Sequence, residues 1–326
     1  MTRTLQTLLC DLIDYAGLFP PAKLEMGPAA EAFNRARMGE QEWMLGRFIC
    51  PLARLAEFEK HAGALLPGTA ATSGYREHDP SRLGPSAGEP WRVSVLLEAP
   101  DLAQVRRDVA RIHEFNDRHS DPDQGLAEID MLEVKVTSPG QIDGVIEELT
   151  EDLFPFFEFP VSAGGEGCDC RGYVTALAGS PAGAKIRTGG VVPGAFPTPR
   201  EVASFLHCCS DADVPFKATA GLHHPVRASH RLTYEPSSPN CTMHGFLNLF
   251  IAAALVHARL IEQDVTEEII ADEEPDNFRF CDEVVGWRER LLDVTQLALA
   301  REGFAHSFGS CSFDEPIADL AKLKLL

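Results

Sequence analysis

The 326-residue sequence predicts an α/β fold, a single (βα)8 TIM-like barrel spanning residues 1–326, with a large helical insertion at 225–305 between the seventh and eighth strands. Three observations carry this. Short β-like runs alternate with helical stretches in the rhythm of repeated βα units. The runs number eight, the count at which parallel strands with outer helices close into a barrel, a doubly wound open sheet being the alternative. Charged side chains also gather on one face of consecutive strands, towards the ends where barrels place active sites.

The first strand is expected at 9–13, leading into the Gly- and Pro-containing loop 15–21. Further strands are expected at 43–50, 91–97, 130–136, 154–159, 184–187, 215–218 and 307–312. Helices fit between them at 27–38, 52–62, 102–115, 140–150, 171–177 and 199–209. Two regions break the rhythm. Residues 61–90, rich in Gly, Pro, Ser and Thr, read as a long surface loop. About 85 residues separate the last two strands, far more than one crossover requires. There Thr242 is expected to cap a helix running to about 261, and Asp276 one running to about 302.

Lys and Arg number 29 against 49 Asp and Glu, a net charge of −20. Such a surface repels phosphate backbones and anionic lipid, which argues against nucleic-acid and membrane roles. The longest nearly apolar run, 245–256, spans 12 residues. That is short of the roughly 20 a membrane crossing takes, so the run reads as a buried core helix or an oligomer contact. The N-terminus lacks a signal-peptide pattern. Nine scattered cysteines with no CxxC pair read as reduced thiols of a cytoplasmic protein, a homo-oligomer being open.

Side chains along a strand alternate faces. In Asp130-Met131-Leu132-Glu133-Val134-Lys135-Val136 the apolar set Leu132, Val134 and Val136 claims the helix-facing side. Glu133 and Lys135 then face the barrel axis. The same parity turns Lys185 and Arg187 inward and puts Lys217, Thr219, Gly221 and His223 on one face. Glu158 sits among aromatics, Glu98 ends the third strand, and Arg47 lies in the second. A barrel core is ordinarily layered Val, Ile and Leu, and buried charges are costly unless paired. A salt-bridged plug that fixes strand register is one reading. A catalytic or ligand-binding mouth is the favoured one.

A lysine crowded by cations in a desolvated site has its pKa depressed, and as a neutral amine it can add to a carbonyl. Lys185 or Lys217 can fill that role beside Arg187, with Glu133 and Glu158 moving protons. The alternative is two lysines that clamp an anionic substrate, with Lys135 and Arg187 adding charge. Gly189, Gly190 and Gly221 follow strand ends, and Ser310 and Ser312 surround the last one. Backbone N–H groups at such turns approach an anion closely.

Lys185-Ile186-Arg187-Thr188-Gly189-Gly190 resembles the Lys-Thr-Ser-Thr-Gly strand that carries the Schiff-base lysine of deoxyribose-phosphate aldolase. Lys217-Ala218-Thr219-Ala220-Gly221-Leu222 is similar to that family's next strand, and Ser307-Phe308-Gly309-Ser310-Cys311-Ser312 to its final turn at the substrate phosphate. The resemblance implies Lys185 as the Schiff-base nucleophile, Lys217 as its perturbing partner, and Glu133 where the family has an aspartate. Gly221, Ser310 and Ser312 would hold an anionic group. Arg187, His223-His224 and the insertion depart from that pattern. The combination is also similar to an uncharacterised bacterial family of barrel type, which supplies no activity.

His223 and His224, followed by His230 and His244, show no HxH or HExxH spacing, so His223 is expected to act singly as acid, base or donor. His244 and Asn248 are expected to share a helix face. Cys168 and Cys170 would need two further ligands to hold zinc, from among His223, His230 and Cys311. No metal and no organic cofactor are expected. The sequence therefore predicts an enzyme for a small anionic carbonyl compound, with a Schiff-base aldolase or lyase as the first reading. A cofactor-independent isomerase or hydrolase using glutamate and histidine is the second, and a non-catalytic small-anion binder the third.

Overall fold

A computed structural model describes residues 1–69, 88–97, 101–161 and 169–326. Its centre is a closed ring of eight parallel strands: β1 (Ile13–Tyr15), β2 (Leu45–Pro51), β3 (Trp91–Leu97), β4 (Ala127–Lys135), β5 (Phe154–Glu158), β6 (Gly183–Arg187), β7 (Phe216–Thr219) and β13 (Ala305–Ser310). β13 lies between β7 and β1, so the last barrel strand closes onto the first. Helices Met26–Arg37, Leu55–Ala62, Leu102–His119, Gly140–Ile146, Arg171–Leu177 and Pro199–Asp211 follow the first six strands in turn. Each buries one apolar stripe against the ring. Helix Pro199–Asp211 shows why it starts where it does, with Pro199 in its first turn and a reciprocal Thr198–Glu201 capping box. Its Phe205 packs edge-on against Phe216 on the outer face of β7.

The strand register follows the apolar alternation, and the bounds of β3 and of helix Arg171–Leu177 fall where the sequence places them. The first strand does not. Residues Arg3–Leu9 form a helix capped by Thr2, with Leu5, Leu8 and Leu9 buried at helical spacing, and the strand is only Ile13–Tyr15. Of the expected loop at 61–90, His61 belongs to helix Leu55–Ala62, and 70–87 lie outside the described residues, as does Glu98.

The insertion after β7 holds sheet as well as helix. Strands β8 (Ala228–Arg231) and β9 (Asn240–Met243) form a hairpin, so Thr242 is a strand residue and the next helix, Phe246–His257, starts after Gly245. That helix is buried from Phe246 to Val256, as a core helix of this chain. Helix Gln263–Ala271 follows it. The stretch after Asp276 is not one long helix. Phe278, Val285 and Trp287 belong to an antiparallel sheet of β10 (Phe278–Phe280), β11 (Val284–Trp287) and β12 (Arg290–Asp293). The helix begins only at Val294, under an Asp293–Gln296 capping box. Alternating β-branched and aromatic residues win over the helical periodicity there. Among the described residues no helix is long and apolar enough to cross a membrane.

Candidate active site

Register brings the charges together. Glu158 of β5, Lys185 of β6 and Lys217 of β7 are lateral partners, with about 4.8 Å between neighbouring strands. Two ammonium groups this close need a shared counterion, which Glu133 supplies. Its Oε2 accepts from Lys185 Nζ at 2.7 Å and its Oε1 from Lys217 Nζ at 2.7 Å. Lys185 also reaches Glu158 Oε2 at 2.7 Å, and Lys217 reaches Asp14 Oδ2 at 2.8 Å. Ser94 Oγ donates to Glu133 Oε1 at 2.9 Å, and Ser307 Oγ to Asp14 Oδ2 at 2.6 Å. Arg187 Nε meets Glu158 Oε1 at 3.2 Å. The three carboxylates and three cations alternate from a floor where Lys217 is 0% exposed to a rim where the Arg187 side chain is 49% exposed.

Local sequence makes room for this. A Cβ at position 46 would lie 2.3 Å from Asp14 Oδ1, so Gly46 leaves the space that carboxylate occupies. The N–H of Arg47 then donates to the same oxygen at 2.7 Å. The Arg47 side chain turns elsewhere, onto Asp130 at 2.6 Å.

Burial alone would raise the carboxyl pKa values of Asp14, Glu133 and Glu158, but the paired cations outweigh it and hold all three below the ordinary range. Burial would likewise favour a neutral Lys185, yet Glu133 and Glu158 push its pKa up. This corrects the expectation of a depressed Lys185. The second cation is indeed on the adjacent strand, but two carboxylates in direct contact win over it.

Above the network, at the C-terminal ends of the strands, opens a cavity of about 240 Å³. Glu133, Lys185, Arg187, Gly190, Thr219, His223 and Cys311 line it, and Phe19, Ile49 and Leu96 supply an apolar wall. Lys217 lies below, fully buried against Met131 Sδ and the Phe156 ring. The two lysines therefore differ: Lys185 borders the cavity, whereas Lys217 holds Glu133 and Asp14 in place. Glu158 stands behind Lys185. Lys135 shares the parity of Glu133, but β4 ends there and its side chain is exposed.

The glycine turns have a packing role of their own. Gly221, at φ +75°, sits so close to Gly189 that a Cβ on it would lie 2.9 Å from the Gly189 Cα. Thr188 Oγ1 ties the same turn by donating to the Ala220 carbonyl at 2.6 Å. Ser310 Oγ donates to the Ser312 carbonyl at 2.6 Å, and Ser312 Oγ accepts from Glu315 N at 3.2 Å at the start of helix Asp314–Lys322. Both serine hydroxyls thus make contacts within their own turn.

On the opposite wall His223 Nδ1 lies 3.4 Å from Glu315 Oε2, 3.5 Å from Ser310 Oγ and 3.9 Å from Cys311 Sγ. Tyr234, from the β8–β9 loop, donates to Glu315 Oε2 at 3.1 Å and lies 3.5 Å from Cys311 Sγ. Burial opposes a charged His223, but Cys311 and Glu315 outweigh it and raise its pKa to about 9. Cys311 is pushed up by burial and down, more strongly, by His223, Tyr234 and the Ala22 backbone N–H, so its thiol falls below the ordinary value. His224 points away, onto Asp319 at 2.5 Å, with its ring stacked on His230.

Other polar residues that the sequence singles out do not join the mouth. His244 precedes the helix rather than sharing a face of it with Asn248, and bonds to the Pro197 carbonyl at 2.7 Å. Asn248 is buried and bonded to the backbone of the insertion. Cys168 is outside the described residues, and Cys170 hydrogen-bonds with Cys208. Among the described residues no three His, Cys, Asp or Glu side chains are grouped to hold a metal. Conversely, strand parity does not single out Asp14, Cys311, Glu315 or Tyr234. Asp14 has a visible signal, an acid between Ile13 and Tyr15. Tyr234 and Glu315 have none, since only the folded insertion and the last helix bring them to β13.

A closed parallel barrel with a charge-compensated network beneath a polar cavity at its strand ends has the makeup of a barrel enzyme's active site. Compared with known proteins, the chain matches no protein-family model, no curated protein and no solved structure. The fold expected from the aldolase resemblance is present, while membership of that family gains no support.

Proposed function

We propose that the chain is an enzyme acting on a small anionic carbonyl compound in the mouth cavity, by proton transfer and charge stabilisation rather than through an imine at Lys185. One observation carries this reading. Among the described residues, the cavity wall holds the cationic side chains Lys185, Arg187 and His223 against a single carboxylate, Glu133. Arg187 and His223 suit the anionic group of a ligand. Lys185, kept as an ammonium by two carboxylates, suits a carbonyl oxygen on which negative charge develops. Glu133, a carboxylate on the same wall, would take up the substrate proton directly. An isomerase or hydrolase fits this arrangement better than a lyase that needs a neutral amine.

The test is borohydride treatment with a panel of sugar phosphates, aldehydes and keto acids, read by intact mass, beside thermal shift with the same compounds. The expected result is a rise in melting temperature without any mass adduct, the rise shrinking in Arg187→Gln. A borohydride-trapped adduct mapping to Lys185 would reinstate the Schiff-base lyase. No stabilisation by any anionic carbonyl compound would sink the substrate class.

A further inference from the structure

The mouth carries a second chemistry that the lysine–carboxylate network does not use. Cys311 directly follows β13, is 5% exposed, and lines the same cavity as Lys185 and Arg187. It also borders, with Tyr234, a neighbouring cavity of about 620 Å³. The titratable groups around it come from four separate elements: His223 from the turn after β7, Tyr234 from the β8–β9 loop, Glu315 from helix Asp314–Lys322, and Tyr15 from β1. His223 Nδ1 faces both the Cys311 thiol at 3.9 Å and the Glu315 carboxylate at 3.4 Å, so one N–H of the ring serves both, and a histidine between two such partners holds its proton while the thiol gives up its own. A cysteine kept only as a small core hydrophobe needs none of these partners.

We propose that Cys311 is a nucleophile of the mouth cavity, adding to the carbonyl carbon of a small anionic aldehyde or ketone held there, with His223 as the proton donor to the carbonyl oxygen. This rests on the reading of the cavity as an anionic-carbonyl site. A sulfur lone pair forms the S–C bond, and the C=O π pair moves to oxygen. That oxygen then takes the imidazolium proton. The product is a neutral hemithioacetal or hemithioketal centre beside neutral imidazole, and no oxidant or second reactant enters. Reversal regenerates the carbonyl and the ion pair. Lys185, on the same cavity, is the cation that stabilises the oxyanion as it forms.

The experiment is alkylation of the whole protein with iodoacetate and, in parallel, iodoacetamide between pH 6 and pH 8, followed by peptide mass mapping. An ordinary thiol loses roughly 50- to 100-fold in rate over that range, because only the thiolate reacts. Cys311 is expected to lose less than tenfold and to outpace the exposed Cys10 and Cys281 at pH 6. Glyoxylate is expected to slow its alkylation but not theirs. With 13C-labelled glyoxylate a bound resonance, distinct from hydrate and free aldehyde, should appear in the wild type and be missing in Cys311→Ser. His223→Gln should restore the steep pH dependence, and Glu315→Gln should shift it part of the way. The wild-type rates stand even if a variant does not fold.

A Cys311 rate that falls with pH as Cys281 does would overturn the nucleophile. Reactive Cys311 with no glyoxylate protection and no bound resonance would overturn the adduct. The reading of the mouth fails separately, through an iodoacetate-to-iodoacetamide rate ratio at Cys311 no higher than at the exposed Cys281, since a cationic cavity favours the anionic reagent.

Discussion

At the scale of single residues, Glu133 is the side chain on which most depends. It is 3% exposed and divides its two oxygens between Lys185 and Lys217. Glu133→Gln leaves two buried ammonium groups on adjacent strands with one carboxylate each. Breaking a buried ionic arrangement from one side is expected to cost about 3–5 kcal/mol, measured as a lower urea midpoint. His223 gives a second test. Its pKa is raised from the ordinary histidine value to about 9, so the protonated form is favoured by folding. The resulting stability is complete below about pH 6.5 and is lost as pH rises through about 9. Melting temperature should therefore step down across that interval in the wild type, and His223→Gln should lack the step. Inward placement of Glu133, Lys185 and Lys217 is legible in the sequence, because alternation with Val134, Ile186 and Ala218 leaves one choice of face. The sign of the Lys185 shift is not. It depends on which strand residues lie side by side, and Glu158 opposite Lys185 is a fact of register.

At the scale of elements, one amide joins three backbone positions of the insertion. Asn248 Oδ1 accepts from Arg227 N at 2.9 Å, and its Nδ2 donates to the carbonyls of Ile269 and Asp272 at 2.7 and 2.8 Å. Asn248→Ala strands three backbone groups and should cost about 2–4 kcal/mol in urea unfolding. The turn after β7 is the other vulnerable element. Gly221→Ala puts a side chain at φ +75° and against the Gly189 backbone, so a loss of more than about 1 kcal/mol is expected. Barrel elements can be read from sequence within a few residues, since each carries its own apolar period. The insertion cannot, because its short strands acquire meaning only when paired. Trp287 and Phe278 are register partners in β10–β11, but in the linear chain they sit in a stretch that also suits a helix.

At the scale of the whole molecule, the buried network sets the limits of the pH range. Asp14, Glu133 and Glu158 are all held below the ordinary carboxylate range. Their stabilisation is present above about pH 4 and fades as the pH falls below it and the carboxylates take up protons. Acid unfolding followed by circular dichroism should begin below that point. Its midpoint should move little with added salt, since buried pairs are weakly screened. The eightfold rhythm and the long interruption before the last strand are both visible in the chain. The order in which β13 closes between β7 and β1 follows from the fold class, while the ionic bridge across that seam leaves no trace in the linear pattern.

That bridge has a consequence for synthesis. Asp14 and Lys217 are 203 residues apart, and at about 5–20 residues per second the ribosome takes roughly 10–40 s to deliver the lysine after the aspartate. Until then the carboxylate that will occupy the barrel floor has no ammonium to accompany it out of water. The nascent amino-terminal half has every reason to keep Asp14 hydrated until the seventh strand emerges with Lys217, and the ring itself closes only when β13 follows.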